Sequence, residues 1–148
     1  MIAARVYGKP APQGSKRAYI VRAKGKRDRV AVTESSAAVK PWREAVAAAW
    51  REAGAHLSGA VAVEARFYLD RPRGHYGTGR NADRLRPSAP LYPTSAPDLD
   101  KLVRSTLDGL TTANAYEDDA RVVDLTTRKR YATPEQPAGV HLIVESVS

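Results

Sequence analysis

Apolar and polar positions alternate with period two in several short runs and recur every three to four residues in two longer ones. Residues 2–7 (IAARVY) read as a short strand closed by Gly8 and Pro10. Residues 18–22 and 29–33 flank the charged, glycine-bearing segment AKGKRD and are expected to pair as a hairpin. In residues 36–53, Val39, Trp42, Val46, Ala49, Trp50 and Ala53 recur at helical spacing, with Pro41 near the start and Gly54 as a stop. The two tryptophans read as core anchors rather than base-stacking platforms. Residues 60–69 (AVAVEARFYL) give the clearest strand, with Val61, Val63, Ala65, Phe67 and Leu69 on one face.

Helical spacing returns over residues 98–110, where Leu99, Leu102, Val103, Thr106, Leu107 and Leu110 form one stripe. Residues 121–131 and 139–146 then read as two closing strands. Between the strand at 60–69 and the second helix, residues 71–96 show no periodicity, and glycine, proline and arginine dominate them. A segment of that length without regular structure is usually functional or disordered. Strands outnumber helices without regular alternation. The expected architecture is therefore a single α+β domain spanning residues 1–148, with a mixed β-sheet and two packed helices.

Composition changes the picture mainly through charge. The 148-residue chain carries a formal net charge of +8, an unusual excess for a small domain, and such domains are often polyanion binders, nucleic acid being the commonest partner. The cations are spread along the chain. Lys9, Lys16 and Arg17 lie in and beside a Pro/Gly loop, Arg71, Arg73 and Arg80 in the 71–96 insertion among His75, Tyr76 and Tyr92, and Lys101, Arg128 and Lys129 further on. Cations interleaved with aromatics suit a nucleic-acid backbone and its exposed bases; a solvated linker is the plainer account of the same insertion. The absence of cysteine excludes disulfides, thiolate zinc sites and a cysteine nucleophile, and fits a reducing cytosol. The opening MIAARVYGKP has too short an apolar run for a signal peptide, and no window is long enough to span a bilayer. A cytoplasmic protein without membrane contact is expected.

Against this positive background stand Asp98 and Asp100 at the start of the second helix, and Asp118 and Asp119 a short loop after its end. On a helical wheel Asp100 and Arg104 lie about 40° apart, opposite the leucine stripe. With Asp98 as an extended N-cap, both carboxylates can turn to one point. Capping and the helix macrodipole explain aspartates here without further function. Clustered carboxylates also repel unless a cation joins them, and hard oxygen ligands suit Mg²⁺ or Mn²⁺. Metal-held carboxylates with polyanion affinity point to phosphodiester hydrolysis. The scattered His56, His75 and His141 offer no competing catalytic or zinc-ligand spacing. Asp108, about 12 Å along the helix from Asp100, reads as structural.

The segment "DLDKLVRSTLDGL…YEDDARVVDLTTRK" resembles the RusA family of Holliday-junction resolvases of phages, prophages and bacteria. The matching pattern is D-x-D at a helix start, a later D-D pair before a strand, and a lysine, Lys129, within that strand. The opening "GKPAPQGSKR" is similar to the family's Gly/Pro-rich start. The resemblance implies a RusA-like fold and a homodimer that cuts four-way DNA junctions using Mg²⁺ or Mn²⁺. It implies metal binding by Asp98, Asp100 and Asp119. The family's catalytic lysine position holds Arg104, and the asparagine after its second aspartate is Lys101 here. A catalytically weak branched-DNA-binding protein is the alternative expectation.

Overall fold

The computed structural model describes residues 1–147 apart from 15, 23, 28, 35 and 36; for residues 16–19, 21 and 29–34 it describes the backbone alone. Among the described residues, six strands and two α-helices follow in the order β1 (Ile2–Tyr7), β2 (Lys16–Val21), β3 (Arg29–Glu34), α1 (Val39–Ala53), β4 (Val61–Leu69), α2 (Leu99–Thr112), β5 (Val122–Tyr131) and β6 (Gly139–Ser146). Every strand and helix expected from the hydrophobic pattern is present, with ends shifted by a few residues. The hairpin β2–β3 forms its own two-stranded antiparallel sheet, with Lys16 opposite Glu34.

The main sheet has the order β1-β6-β4-β5. β6 pairs antiparallel with both β1 and β4, whereas β4 and β5 run parallel. Parallel neighbours need a crossover, and residues 70–121, including α2, supply it. β4 alternates strictly between buried and half-buried residues, so Val61, Val63, Ala65, Phe67 and Leu69 face the core. Both helices cover that one face. Trp42, Val46 and Trp50 from α1 and Leu102, Val103 and Leu110 from α2 join the strand residues in one cluster, each large side chain contributing about 1.5–3 kcal/mol by its burial. The tryptophans are core anchors, as their helical spacing indicated. Trp42 also donates its indole N–H to Thr106 across the helix pair, at 3.2 Å.

Two glycines are set by close approach. A Cβ on Gly109 would stand 2.8 Å from Val46, so this residue lets α2 lie tightly against α1. Gly139 has φ +148° and packs onto the Val6 backbone where β6 begins. His141 sits within β6 opposite Arg5 and Arg66, a sheet residue as expected.

The 71–96 segment is a correction to its reading as structureless. Short 3-10 turns form at Arg73–His75 and Gly79–Asn81, and Tyr76 bridges to Leu85. Backbone bonds from Gly77 N–H to Arg84 and from Arg86 N–H to His75 close it on itself. Arg71 lies over the Tyr131 ring at 4.1 Å and donates to the Pro90 carbonyl at 2.7 Å. Arg130 lies over Tyr92 at 5.0 Å. Turn bonds and cation–aromatic contacts have no period, so a periodicity search passes over them. Among the described residues, no helix is long and apolar enough to cross a membrane.

Candidate active site

α2 opens at Leu99 because Asp98 holds extended dihedrals (φ −69°, ψ 137°) and the apolar stripe behind it is drawn into the core. The Asp98 side chain makes no capping hydrogen bond. Its Oδ2 lies 3.6 Å from Lys101 Nζ in a pair exposed to water, where such contacts stabilise little. Asp100 and Arg104 are exposed on the same face, as the helical wheel requires. The carboxylates are thus not consumed by side-chain capping, although both still benefit from the positive end of the helix.

Four hydrogen bonds fix this helix mouth. Lys129 on β5 donates to the carbonyls of Ser95 (2.9 Å) and Pro97 (2.8 Å), immediately before Asp98. The Gln13 N–H donates to the Lys101 carbonyl at 2.9 Å, and Ser105 Oγ donates to the Ala11 carbonyl at 2.6 Å. The N-terminal Pro/Gly loop is therefore packed along α2. Lys9, Pro10, Pro12, Leu69, Arg71, Pro97 and Tyr131 line a cleft of about 470 Å³ leading to the mouth. Arg73 and Arg80 are exposed on the insertion, and Arg128 on β5. The side chains of Lys16 and Arg17 lie outside the described residues. Lys129, expected to contact nucleic acid, ties the strand to the segment that carries Asp98.

The second acidic pair stands at the other end of α2. Asn114, at φ 58°, adopts the left-handed conformation that turns the chain away from the helix. Asp118 caps the short turn Asp119–Arg121, its Oδ1 accepting from the Ala120 N–H at 2.7 Å. Asp119 Oδ1 accepts from Thr111 Oγ at 2.7 Å and lies 3.4 Å from the Tyr116 hydroxyl, which also faces the Leu107 carbonyl at 3.3 Å. Burial, and then the charge of Asp119, push the Tyr116 phenol above its ordinary range, so it stays a neutral donor. Asp108 meets Arg43 of α1 at 3.9 Å, which fits its reading as structural. Arg43, Asp108, Thr111, Asp118 and Asp119 line one open cleft.

Thr111, which holds Asp119, is eleven residues beyond Asp100, or about 16 Å along the helix at 1.5 Å per residue. One chain therefore brings Asp98 and Asp100 together and leaves Asp119 at the far end of α2. The expectation that all three meet at one ion within a chain is corrected by the length of the helix between them. Among the described residues, no group of three or more His, Asp or Glu side chains is placed to hold a metal. Sequence reasoning missed Thr111, Tyr116 and Arg43. Thr111 and Tyr116 fall between the expected helix at 98–110 and the strand at 121–131, where no periodicity singles them out, and Arg43 is distant in sequence from the acids it faces.

No curated protein sequence matches the chain significantly. A family match, to "Endodeoxyribonuclease RusA", extends over residues 9–143 and so takes in both helices, both acidic pairs and the strand bearing Lys129. With that coverage, the chain belongs to the RusA family of endodeoxyribonucleases, nucleases whose activity is the resolution of Holliday junctions.

Proposed function

We propose that the chain resolves four-way DNA junctions as a homodimeric, divalent-metal-dependent endonuclease, with Asp98 and Asp100 of one subunit and Asp119 of the other as metal ligands, because α2 keeps Asp119 about 16 Å from the other two within one chain. The observation that carries this is the pair of exposed carboxylates at the mouth of α2, unspent on side-chain capping in a chain of net charge +8. Their all-oxygen donor set fits Mg²⁺ or Mn²⁺, and Mg²⁺ commonly sits on one or two carboxylates together with water and substrate phosphate. When bound, the ion supplies a water acidic enough to attack near neutral pH and screens the phosphate oxygens.

The chain's own residues orient and neutralise. Asp98 and Asp100 present their oxygens on a face held by Lys129 and Gln13. Arg104, on the face of Asp100, stabilises charge on the phosphate; a guanidinium stays protonated, so its role is electrostatic and not proton transfer. Lys9 and Arg71 in the neighbouring cleft, with Arg73, Arg80, Lys101 and Arg128, supply backbone neutralisation. Water oxygen bonds to phosphorus, the bond to the 3′ oxygen breaks, and that oxygen takes up a proton, leaving a 5′ phosphate.

The test incubates the protein with a labelled four-way junction and with linear duplex, in Mg²⁺ or in chelator. Paired, metal-dependent nicks confined to the junction are expected, and Asp100→Asn is expected to abolish them while junction binding survives. Tight junction binding without cutting by the unaltered protein would establish the alternative, a catalytically weak branched-DNA binder.

A further inference from the structure

The outer side of the 71–96 segment carries apolar side chains that metal-assisted cutting leaves unused. Leu85 is 50%, Leu91 72% and Tyr92 52% exposed, and the three line one groove of about 540 Å³ together with Arg130 and Tyr131 of β5. Single exposed hydrophobics are ordinary, but several gathered in one groove form a patch that marks a binding surface. The groove is built rather than loose. Arg86 donates from its backbone to the His75 carbonyl at 2.8 Å and from Nε to the Tyr76 carbonyl at 2.7 Å. Arg71 joins the carbonyl of Pro90, the residue before Leu91, to the Tyr131 ring, and Arg130 lies over the Tyr92 ring. A surface held in this way loses little freedom when something binds to it.

Charge names the occupant. Residues 71–96 hold five arginines and a single acid, Asp83. A second copy of the chain docked here through the same face would set two such segments against each other and be repelled, whereas a polyanion is drawn in. Apolar and aromatic side chains gain little from the phosphates of an intact duplex, whose base faces are covered by their neighbours. They gain where the stack is interrupted. A four-way junction interrupts its stacks at the crossover, and a linear duplex does not. We propose that Leu91 and Tyr92 receive an unstacked base at the crossover of branched DNA, so that the 71–96 segment helps the enzyme tell a junction from a duplex. This deepens the junction-nuclease reading and rests on it. Position agrees with it. Tyr131, at the border of the groove, is two residues along β5 from Lys129, about 7 Å, and Lys129 is bonded to Pro97, the residue before Asp98. With bases about 3.4 Å apart along a strand, the received base lies within a few nucleotides of a phosphate at the helix mouth. Arg71 and Tyr131 also line the cleft that leads to that mouth, so one strand can pass from the groove to the carboxylates.

Binding is measured in chelator, so that no strand is cut, on a labelled four-way junction and on a linear duplex of the same sequence. Tyr92→Ala should weaken junction binding by about 5–150-fold, the range for losing one stacked base, and leave duplex binding unchanged. Leu91→Ala should act in the same direction, and Tyr92→Phe should keep the parental affinity for both DNAs. Equal losses on the two DNAs would make Tyr92 a backbone contact. No loss on either would give the patch to another protein, and a Tyr92→Ala protein that sediments lighter than the parent would give it to a second copy. Each of these results overturns the inference. A second measurement uses the unaltered protein: 5-iodouracil at the crossover should photocross-link to Tyr92, and 5-iodouracil within an arm should not. Cross-links to other residues alone, or none, overturn the inference while metal-dependent cutting by the parent keeps the nuclease reading in place. A parent that neither cuts the junction nor prefers it to duplex removes both.

Discussion

Replacing Gly109 with alanine sets two effects against each other at the contact that seats α2. The new methyl would stand 2.8 Å from Val46 Cβ and Cγ1 and 3.0 Å from the Arg43 carbonyl oxygen. Carbon atoms prefer about 3.5–4.0 Å, so the helices must part by nearly ~1 Å, because Val46 is fully buried and the Arg43 oxygen is backbone. Overpacking of this kind costs about 1–3 kcal/mol. Alanine recovers up to about 1 kcal/mol through its better helix propensity. The expected net loss is about 1–2 kcal/mol, which for a chain of this size lowers Tm by about 2–6 °C. Thermal unfolding followed by circular dichroism measures it, with Gly59→Ala unsuitable as a control because of its positive φ and Gly74→Ala, which meets nothing, suitable. A Tm for Gly109→Ala at or above that of the parent would mean that propensity outweighs sterics, and the tight α1–α2 approach would be refuted.

Lys129→Met keeps the aliphatic stem and removes both bonds to the Ser95 and Pro97 carbonyls, so junction cutting should fall and the Mg²⁺ requirement should rise. The salt dependence of junction affinity should keep its slope; a slope reduced by about 1 would place Lys129 on a phosphate instead. His141 has its pKa lowered by burial first and then by Arg5 and Arg66. The unfolded chain therefore takes up the proton before the folded one, and stability is lost as pH falls below the ordinary histidine value of about 6.5. Urea midpoints measured from pH 8 to 5 should fall on acidification, and His141→Gln should flatten part of that fall.

The legible parts of this fold were those with a period. α1, α2 and β4 each bury one face, so their stripes named both the elements and the core. The helix-wheel argument likewise placed Asp100 and Arg104 on one exposed face, and the extended entry of Asp98 followed from its position before the stripe. What stayed hidden depended on contacts between distant residues. Lys129 read as the family's strand lysine and a nucleic-acid contact, because nothing in "TTRKRY" reveals that Pro97 lies within its reach. Asp119 was placed with the other acids on motif likeness, whereas the rise per residue of α2 already separates its two ends by more than an ion can bridge. The insertion at 71–96 holds its shape through backbone turns and arginine–aromatic stacking, which leave no repeating mark.

The parallel pairing of β4 with β5 makes everything between them one returning excursion, and the two acidic pairs sit at different points on that path. Extra residues added before Ser95 could bulge into solvent while Lys129 still grips the carbonyls ahead of Asp98. A single residue added within α2 has no such outlet: it would swing one end of the helix about 100° relative to the other. Length variation should therefore be tolerated on the outward leg of the crossover and refused on the return, so the two legs are unequal targets for engineering.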